Sequence, residues 1–345
     1  MLAAAPTFQA QVERWLRLAS GRRGLVRAAH EAARPGTAEA EARREERLRI
    51  AAQLESRLTA ELKLKRGQAE VLALTLNDIV ADYVRMEATG WVREIPHREV
   101  AASLDRLVKK GIYLRGERRR PVDRPGADTG PRRHSGERRS HITWEPAKGR
   151  SDAGTPRGRR TRARILRSAI AVFGKRGFAD TSMLDIAEHA RLASGTVYQY
   201  FEDKQDLFAC LLQELADRLY RETRMPAGPS GRLVVEESVV RYLEIYREYA
   251  AIFRAWWELL EPPTPFTDLW LELHDRWHDQ MRDALELSRR EGLIGKRFDS
   301  EITADLIVCA FDRPAYNRIV LGWDTGPDQE LVDVMSKLLG TGFAA

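Results

Sequence analysis

The sequence is poor in cysteine and has no long hydrophobic run. Cys210 and Cys309 are the only two cysteines among 345 residues, so neither a disulfide framework nor a cysteine-based metal cluster is predicted. We expect both to be small buried side chains. No stretch approaches the roughly 20 apolar residues that a membrane-spanning helix requires, and polar residues interrupt the opening of the chain too early for a signal peptide. A cytoplasmic protein without a membrane partner is predicted.

Catalytic motifs are also missing from residues 1–114. This region has no phosphate-cradling glycine loop, no nucleophile elbow, no HExxH motif and no paired acid and base. Elsewhere, His274 and His278 have the metal-compatible i, i+4 spacing, but no third ligand is evident. The sequence therefore predicts no enzyme, no cofactor and no metal site.

Positive charge is concentrated in one segment of the chain. The net charge is +6, and between Arg115 and Arg160 fourteen Arg and Lys residues stand against six Asp and Glu residues. The segment is rich in Arg, Pro, Gly, Ser and Asp and poor in apolar residues, which predicts a flexible basic linker over residues 115–158. A basic stripe of this kind also favours contact with a polyanion.

Apolar residues at helical spacing predict an N-terminal helical domain over residues 1–114. Leu54, Leu58 and Leu62 form one stripe on a heavily charged helix. Two roles for this domain stay open. The leucine stripe favours a helical dimerisation or partner module. The basic end of a later helix, over residues 98–110, is followed by a short apolar run and would also fit a winged-helix DNA reader.

From Thr161 onward the pattern predicts a helix, a second helix after a short turn, a very short helix and then a longer one. Gly177 closes the first of these helices. Ser182, with Asp185 three residues later, has the form of a capping box for the second. Asp203 caps the longer helix. This order is the layout of a helix-turn-helix DNA-binding unit.

The short helix, predicted over residues 194–201, has one apolar side and one side of small polar residues. At about 100° per residue, Val197 and Phe201 share the side that faces the core. Gly195, Thr196 and Gln199 lie on the far side, which carries no carboxylate. A glycine lets the backbone approach a polyanion, while hydroxyl and amide groups bond to phosphates and base edges. The short helix is therefore predicted to read DNA.

Over residues 160–212 the sequence resembles the DNA-binding signature of the TetR/AcrR family. The runs 181–190 and 195–204 carry the resemblance. It implies a DNA-binding domain over residues 159–205, with phosphate contacts at helix ends, base contacts from the short helix and an arginine cluster that reaches phosphates or the minor groove. The implied DNA-binding residues are Arg159, Arg160, Arg162, Thr181, Ser182, Ser194, Gly195, Thr196, Tyr198, Gln199, Tyr200 and Lys204.

This sequence departs from the family pattern at two positions beside the reading helix. Arg191 stands where the family has a small turn residue, and Ala193 stands where it has a serine cap. Ser194 would then cap the helix one residue later and turn away from the bases.

Residues 206–345 resemble, in layout, the family's effector-binding and dimerisation domain. Aromatic residues cluster on a few successive helices with polar groups among them, a pattern typical of core packing and also of an apolar pocket with orienting groups. The resemblance implies a small hydrophobic, aromatic or acyl effector. The predicted pocket residues are Tyr246, Phe253, Trp256, Trp257, Trp270, His274, Trp277, Phe311, Asp312 and Asn317.

The last two helices are predicted to form a homodimer interface. A single reading helix covers only one half-site, so a twofold pair matches a palindromic operator. Pro314 should kink the first of these helices, predicted over residues 301–323. The predicted interface residues are Leu306, Ile307, Ala310, Leu331, Val334 and Leu338.

The sequence thus predicts an all-α protein with a helical N-terminal domain, a basic linker, a helix-turn-helix domain and a helical C-terminal domain. The predicted function is transcriptional regulation, by a repressor that a small effector releases from double-stranded operator DNA. Two alternatives stay open. One is a regulator whose N-terminal region is a second DNA- or protein-binding domain, and the other is an enzyme fused to a DNA-binding domain.

Overall fold

The computed structural model describes residues 7–21, 37–92, 94–112, 155–223, 231–259, 265–290, 292, 294 and 298–342. Every regular element within these ranges is helical, which confirms the predicted all-α class. The helices, numbered in chain order, are α1 (Phe8–Ser20), α2 (Ala38–Leu62), α3 (Arg66–Ala88), α4 (His97–Lys110), α5 (Pro156–Arg176), α6 (Met183–Ala190), α7 (Ser194–Tyr198), α8 (Lys204–Glu222), α9 (Gly231–Glu248), α10 (Ala250–Leu259), α11 (Pro265–Arg290), α12 (Ser300–Ala315) and α13 (Asp328–Leu339). A π-helical turn, Tyr316–Val320, follows α12.

Most of the predicted basic linker lies outside the described residues, which resume at Thr155. The hydroxyl of Thr155 accepts a hydrogen bond from the Gly158 backbone nitrogen at 3.0 Å, and Pro156 occupies the first helical position. A threonine cap and a proline at this position both favour the start of a helix. Helix α5 therefore begins before residue 159 and includes the last residues of the predicted linker.

The helix predicted over residues 301–323 changes type after Pro314. Helix α12 ends at Ala315, and in the π-helical turn the backbone nitrogen of Leu321 donates to the carbonyl of Tyr316 at 3.1 Å. Proline has no N–H to donate and crowds the preceding turn, so a helix is disturbed around it. Here the disturbance includes a wider turn immediately after the proline.

Helix α3 joins the N-terminal helices to the C-terminal ones. Fifteen of its residues are buried, and it packs against α1, α2, α12 and α13. At its C-terminal end, the Met86 sulfur lies 3.6 Å from the Cys309 sulfur on α12. A helix buried on all sides belongs to a core rather than to a surface. The N-terminal region and the C-terminal region therefore share one hydrophobic core.

A buried ion-pair network connects α2 to α3 and to the loop after the π-helical turn. The Arg47 guanidinium donates to both carboxylate oxygens of Asp78 at 2.7 Å. It also donates to the two carboxylate oxygens of Asp324 at 2.7 and 2.8 Å. Burial lowers the pKa of Arg47, but the two carboxylates outweigh it and raise the pKa above its ordinary value. The guanidinium remains charged and crosslinks three segments.

Glycines allow the end of α4 to contact the end of α13. Gly111 has a φ of 63°, and a Cβ at this position would collide with the backbone of Gly340 and Gly342. The backbone nitrogen of Ile112 donates to the carbonyl of Gly340 at 2.9 Å. Only glycine tolerates both a positive φ and such a close approach of two backbone segments.

The predicted homodimer interface is not at the surface of this chain. The six residues concerned, all buried within the single chain, are Leu306, Ile307, Ala310, Leu331, Val334 and Leu338. They lie on α12 and α13, against which α3 and α4 pack. The N-terminal helices are packed on the two helices that the sequence assigns to a second copy. The six side chains therefore belong to the core of the chain, and a dimer would need another surface.

Cys210 and Cys309 are both buried free thiols, as predicted. Among the described helices, none is both long enough and apolar enough to cross a bilayer.

Shortening the Met86 side chain tests whether the two regions unfold as one unit. Met86 is fully buried at the contact with α12, so Met86→Ala should lower the free energy of unfolding by about 2–5 kcal/mol. Leu48→Ala, at an exposed position of α2, should change it by less than about 0.5 kcal/mol. Urea denaturation followed by tryptophan fluorescence and by circular dichroism measures both variants. Two separate transitions, with only the first shifted by Met86→Ala, would contradict a shared core.

Candidate DNA-binding site and effector cavity

Helices α5, α6 and α7 form the predicted helix-turn-helix unit. Ser182 and Asp185 make the capping box: the Asp185 backbone nitrogen donates to the Ser182 hydroxyl at 3.2 Å, and the Ser182 backbone nitrogen donates to the Asp185 carboxylate at 2.8 Å. Arg176 pairs with the same carboxylate at 2.5 Å. Hydrogen bonds from Ser182, and then Arg176, lower the pKa of Asp185. The start of α6 is therefore fixed to the end of α5.

Helix α7 presents the side that the sequence predicts to face DNA. Val197 is buried, whereas Gly195 and Gln199 are exposed and the Tyr198 side chain is 47% exposed. Tyr198 and Gln199 are therefore too exposed to belong to the core, and their hydroxyl and amide groups are available to a polar partner. Ser194, Thr196 and Tyr200 are half-buried. The helix is shorter than predicted, because it ends at Tyr198.

The start of α7 has no side-chain cap. Ala193 is the N-cap residue, and Ser194 is the first helical residue rather than the cap. Before it, Arg191 adopts a left-handed conformation with a φ of 51°. This conformation is unfavourable for residues with a Cβ and is usually taken by glycine. The turn between α6 and α7 therefore has a residue with a Cβ in a conformation that glycine adopts more easily.

Three predicted phosphate-binding residues make contacts within the chain instead. Thr181 is buried, and its hydroxyl donates to the carbonyl of Gly177 at 2.7 Å. The Lys204 ammonium donates to the carbonyls of Phe178 and Ala179 at 2.7 and 3.1 Å, and burial lowers its pKa. Since their polar groups are already engaged, these two residues hold the unit together.

Arg162 is the third residue whose partners lie within the chain. Its guanidinium forms an ion pair with Glu214 on α8 and lies 5.6 Å from the centre of the Phe201 ring. Arg159 and Arg160 are exposed on α5, as a phosphate contact requires. Arg162 follows Arg160 by two residues, so the two side chains lie on different faces of the helix.

A row of exposed arginines on α5 includes only one residue of the predicted site, Arg160. Its members share one face of the helix, at steps of three and four residues, and are all exposed. They are Arg157, Arg160, Arg164 and Arg167. Residues at i, i+3, i+7 and i+10 lie on one side of an α-helix. The same spacing in the sequence could have identified Arg164 and Arg167 as candidate phosphate contacts.

A cavity of about 80 Å³ lies among α8, α9, α10, α11 and α12. We call it the effector cavity. Seven of the ten predicted pocket residues line it, namely Phe253, Trp256, Trp257, Trp270, His274, Trp277 and Asp312. Three lining residues on α8 were not among the predicted pocket residues, namely Ala216, Leu219 and Tyr220. These three residues lie on α8, which also contacts the helix-turn-helix unit through Lys204. In the sequence, only the helical spacing of apolar residues along α8 could have indicated them.

The other three predicted pocket residues lie elsewhere. Tyr246 stacks on Phe253 with ring centres 3.6 Å apart, so it supports the wall from behind. Phe311 packs edge-on against Trp277 at 5.5 Å and is likewise behind the lining. Asn317 lines a different cavity, between the N-terminal helices and α12.

The effector cavity contains polar groups that have no hydrogen-bond partner among the described residues. They are the indole nitrogens of Trp256 and Trp277 and both ring nitrogens of His274. Asp312 accepts hydrogen bonds from the Tyr242 and Tyr246 hydroxyls at 3.3 and 3.4 Å. Burial, followed by the nearby charge of Asp82, raises the pKa of Asp312 to about 7. An apolar cavity with a few convergent polar groups is typical of a small-molecule site.

His278, the second histidine of the i, i+4 pair, belongs to an ion-pair network. Its Nε2 lies 3.1 Å from Asp305 on α12. Burial opposes protonation, but hydrogen bonds to Asp279 and Asp305 raise the pKa of His278 to about 10. It therefore links α11 to α12 as a cation. Within the described ranges, no group of three or more His, Cys, Asp or Glu residues is placed to hold a metal ion.

Two sets of contacts connect the effector cavity with the DNA-binding unit. Helix α8 carries Lys204 against the loop after α5 at one end and Tyr220 in the cavity at the other. Helix α10 packs on α5, where Arg254 donates to the carbonyl of Gly174 at 3.2 Å. Helices α8 and α10 therefore each contact both the cavity and the DNA-binding unit.

The N-terminal region also contributes to the wall of the effector cavity. The Arg85 guanidinium of α3 lies 4.5 Å from the centre of Trp257 and 5.5 Å from that of Trp270. The Trp91 ring packs against the Trp270 ring at a tilt of 37°, with ring centres 4.2 Å apart. Arginine on tryptophan faces is a favourable cation–π arrangement. Two of the tryptophans that line the cavity are therefore held in place by residues from outside the C-terminal domain.

Comparisons of the sequence with known proteins identify its family. The model of the family "Bacterial regulatory proteins, tetR family" matches residues 165–211. The HTH-type transcriptional regulator TtgR of Pseudomonas putida is 28% identical over 201 residues, which cover 53% of this chain and 90% of that protein. Another Pseudomonas putida protein, named "Probable HTH-type transcriptional regulator ArpR", is 30% identical over 202 residues, with the same two coverages.

Among solved structures, the fatty acid degradation regulator FadR from Bacillus halodurans aligns with 52% of this chain and 95% of its own, at 19% identity and a TM-score of 0.43. The family assignment depends on the sequence matches, of which the one to ArpR spans nine-tenths of the relative. The chain belongs to the TetR family of bacterial regulatory proteins.

Proposed function

We propose that this regulator is a repressor that binds a palindromic operator and is released from it by a small hydrophobic effector. The DNA-binding part rests on the exposed polar side of α7 and on the row of exposed arginines on α5. The arginines supply phosphate contacts that position the unit, and the side chains of α7 reach base edges in the major groove. Binding to upstream DNA of its own gene is the first test, by electrophoretic shift.

The effector proposed is a mostly apolar molecule that carries hydrogen-bond acceptors. The unpaired indole nitrogens of Trp256 and Trp277 are donors only, and they face a cavity of aromatic walls. A cavity of about 80 Å³ is small beside the roughly 300–1,000 Å³ of sites for drug-sized ligands. The effector would have to displace aromatic side chains and, with them, α8 and α10. A coupling of about 1–3 kcal/mol would change operator affinity roughly 5–150-fold.

A dimer remains part of the proposal, although its surface is not the predicted one. One copy has a single reading helix, and a palindromic site presents two half-sites. Because α12 and α13 are covered by α3 and α4, the second copy would have to contact another surface or bind only on the operator. Light scattering of the free chain and of its operator complex should therefore give two chains per operator. One chain per operator would contradict the palindrome.

For the N-terminal region, the packing supports a partner module within the chain rather than a second DNA reader. Leu54 and Leu58 of the predicted stripe are buried. Ile112, at the start of the predicted wing, is buried and bonded to Gly340. A footprint that is unchanged by Arg98→Ala would agree with this role.

The arginine row and α7 should affect DNA binding in different ways. Arg164→Ala removes an exposed phosphate contact, so it should weaken binding to all sequences alike and reduce the slope of log K against log salt by about 1. Gln199→Ala should cost about 1–3 kcal/mol on the operator and little on unrelated DNA. Fluorescence anisotropy across a salt series measures both.

Arg290→Ala, at an exposed position at the end of α11, is the control for loss of one positive charge and should leave affinity within about twofold. Equal salt slopes for Arg164→Ala and the parent protein would contradict the proposed role of α5.

The raised pKa of Asp312 predicts a pH dependence of stability. Because the pKa of Asp312 is about 7, the folded chain holds a proton on this carboxyl up to about that pH, whereas an ordinary Asp carboxyl has a pKa of 3.8. Its contribution to stability is therefore lost as pH rises between these values. Asp312→Asn keeps the group neutral, so the variant should gain stability relative to the parent by at least about 1 kcal/mol between pH 5 and pH 8. Urea unfolding at the two pH values measures this gain.

The control is Asp333→Asn, at an exposed position of α13, which should follow the parent protein at both pH values. If Asp312→Asn also follows the parent at both, the carboxyl is ionised throughout and does not act as a neutral group in the cavity.

A further inference from the structure

Two segments of the chain have the same order of helices, turns and caps. The first repeat is α3 with α4, and the second repeat is α12 with its π-helical turn and α13. In each, a long buried helix is followed by a glycine and a tryptophan, then by a proline and a shorter helix. Gly90 and Gly322 have φ values of 72° and 66°. Pro96 and Pro327 are the N-cap residues of the shorter helices.

The shorter helices of the two repeats match position by position after the proline. The backbone nitrogen of Glu99 donates to the carbonyl of Pro96 at 2.8 Å, and that of Glu330 donates to the carbonyl of Pro327 at 3.2 Å. The same six positions after the proline are buried in both helices. The equivalent residues are Val100 and Leu331, Ala101 and Val332, Ser103 and Val334, Leu104 and Met335, Leu107 and Leu338, and Val108 and Leu339.

The contacts between the two repeats are reciprocal, as they are in a twofold dimer. Both α3 and α4 pack against both α12 and α13. Gly111 and Gly342 stand at the same distance in sequence from the two prolines and have φ values of 63° and 72°. A Cβ on either glycine would collide with the backbone nitrogen of the other. Equivalent residues that contact each other in this way are the mark of an isologous interface.

The helices outside this four-helix bundle extend the correspondence. Helix α1 packs on α3 and α4, as α9 packs on α12 and α13. Helix α2, with 25 residues, packs on α3, as α11, with 26 residues, packs on α12. In chain order, α1, α2, α3 and α4 therefore correspond to α9, α11, α12 and α13. The helix-turn-helix unit has no counterpart among the described N-terminal residues.

This arrangement occupies the surface that a second chain would need for the same contact. An isologous surface binds one copy of itself, and here the copy comes from the same chain. Because the two repeats are covalently connected, their contact is intramolecular, with an effective concentration on the order of millimolar. A second chain at micromolar concentration does not compete with such a contact.

We propose that helices α1–α4 are an internal partner that takes the place of a second chain, so that the free protein is a monomer and each chain binds one operator half-site on its own. The DNA part of this inference rests on the proposed function, whereas the monomer part does not. Two chains would then come together only on a palindromic operator.

The mass of the free chain is the first test. Size-exclusion chromatography with light scattering should give the mass of one chain, 39.3 kDa, at every concentration between about 1 and 100 µM. A mass of two chains within this range would overturn the proposal, whether or not the protein binds DNA.

The spacing of half-sites is the second test. The probes are the upstream DNA fragment that shifts, its single half-site, and the same fragment with about five base pairs, half a helical turn, inserted between the half-sites. Chains that bind independently should have dissociation constants per half-site within about threefold on all three probes. A loss of at least about tenfold on the inserted fragment would show two reading helices held at a fixed spacing and would overturn the proposal.

The two proposals fail in different ways. If no DNA fragment binds, the proposed function is wrong, and the mass of the free chain still decides whether the N-terminal helices are an internal partner. If the fragments bind but the free chain is a dimer, the proposed function stands and the internal partner is wrong.

Gln199→Ala, on α7, counts the reading helices in each binding event. Independent chains should lose the same factor of affinity on the single half-site and on each half-site of the operator. A preformed dimer carries the substitution twice, so its loss on the operator would be the square of its loss on one half-site, because free energies at separate sites add. Leu48→Ala, at an exposed position of α2, is the control and should change neither affinity. A squared loss would overturn the proposal.

Discussion

The burial of α3 on nearly all of its sides is the constraint on which the rest of this structure depends. Its apolar residues pack against α12 and α13, while Asp78 pairs with Arg47 on α2. A buried arginine between two carboxylates tolerates little displacement, because each lost partner leaves a charge in an apolar environment. The N-terminal region is therefore part of the regulator's core, and its helices determine which faces of α12 and α13 remain for other partners.

Local signals in the sequence were sufficient to predict the DNA-binding unit. The Ser182 and Asp185 capping box, the glycine at 177 and the Asp203 cap act within a few residues of where they stand. Side-chain partners distant in sequence were not predictable in this way. Arg162 meets Glu214, and Lys204 meets the carbonyl of Phe178, because of how α8 packs. Helical spacing can show that a residue is on a face, but not what covers that face.

The same limit explains the outcome for the C-terminal domain. The density of aromatic residues indicated a pocket, and most of the predicted residues line it. Whether a predicted residue lines the cavity or packs behind the lining depends on the angles at which the helices cross. The helical periodicity of the sequence does not specify those angles. The apolar stripes of α12 and α13 were identified correctly as contact faces. The partner of these faces was not identified correctly. An apolar stripe indicates that a face is buried, but it does not indicate whether the same chain or a second copy covers that face.

Helix α12 separates two cavities, and consecutive residues face each of them. Asp312 lines the effector cavity, whereas Arg313 lines the other cavity, between the N-terminal helices and α12. The Arg313 guanidinium also lies 5.4 Å from the ring centre of Trp257, which lines the effector cavity. Pro314 removes a backbone donor next to these residues, and the helix widens immediately after it. A segment with fewer ladder hydrogen bonds changes its geometry at lower cost than a regular helix does. The irregular turn that follows Pro314 therefore lies next to Asp312 and Arg313, which line the two cavities.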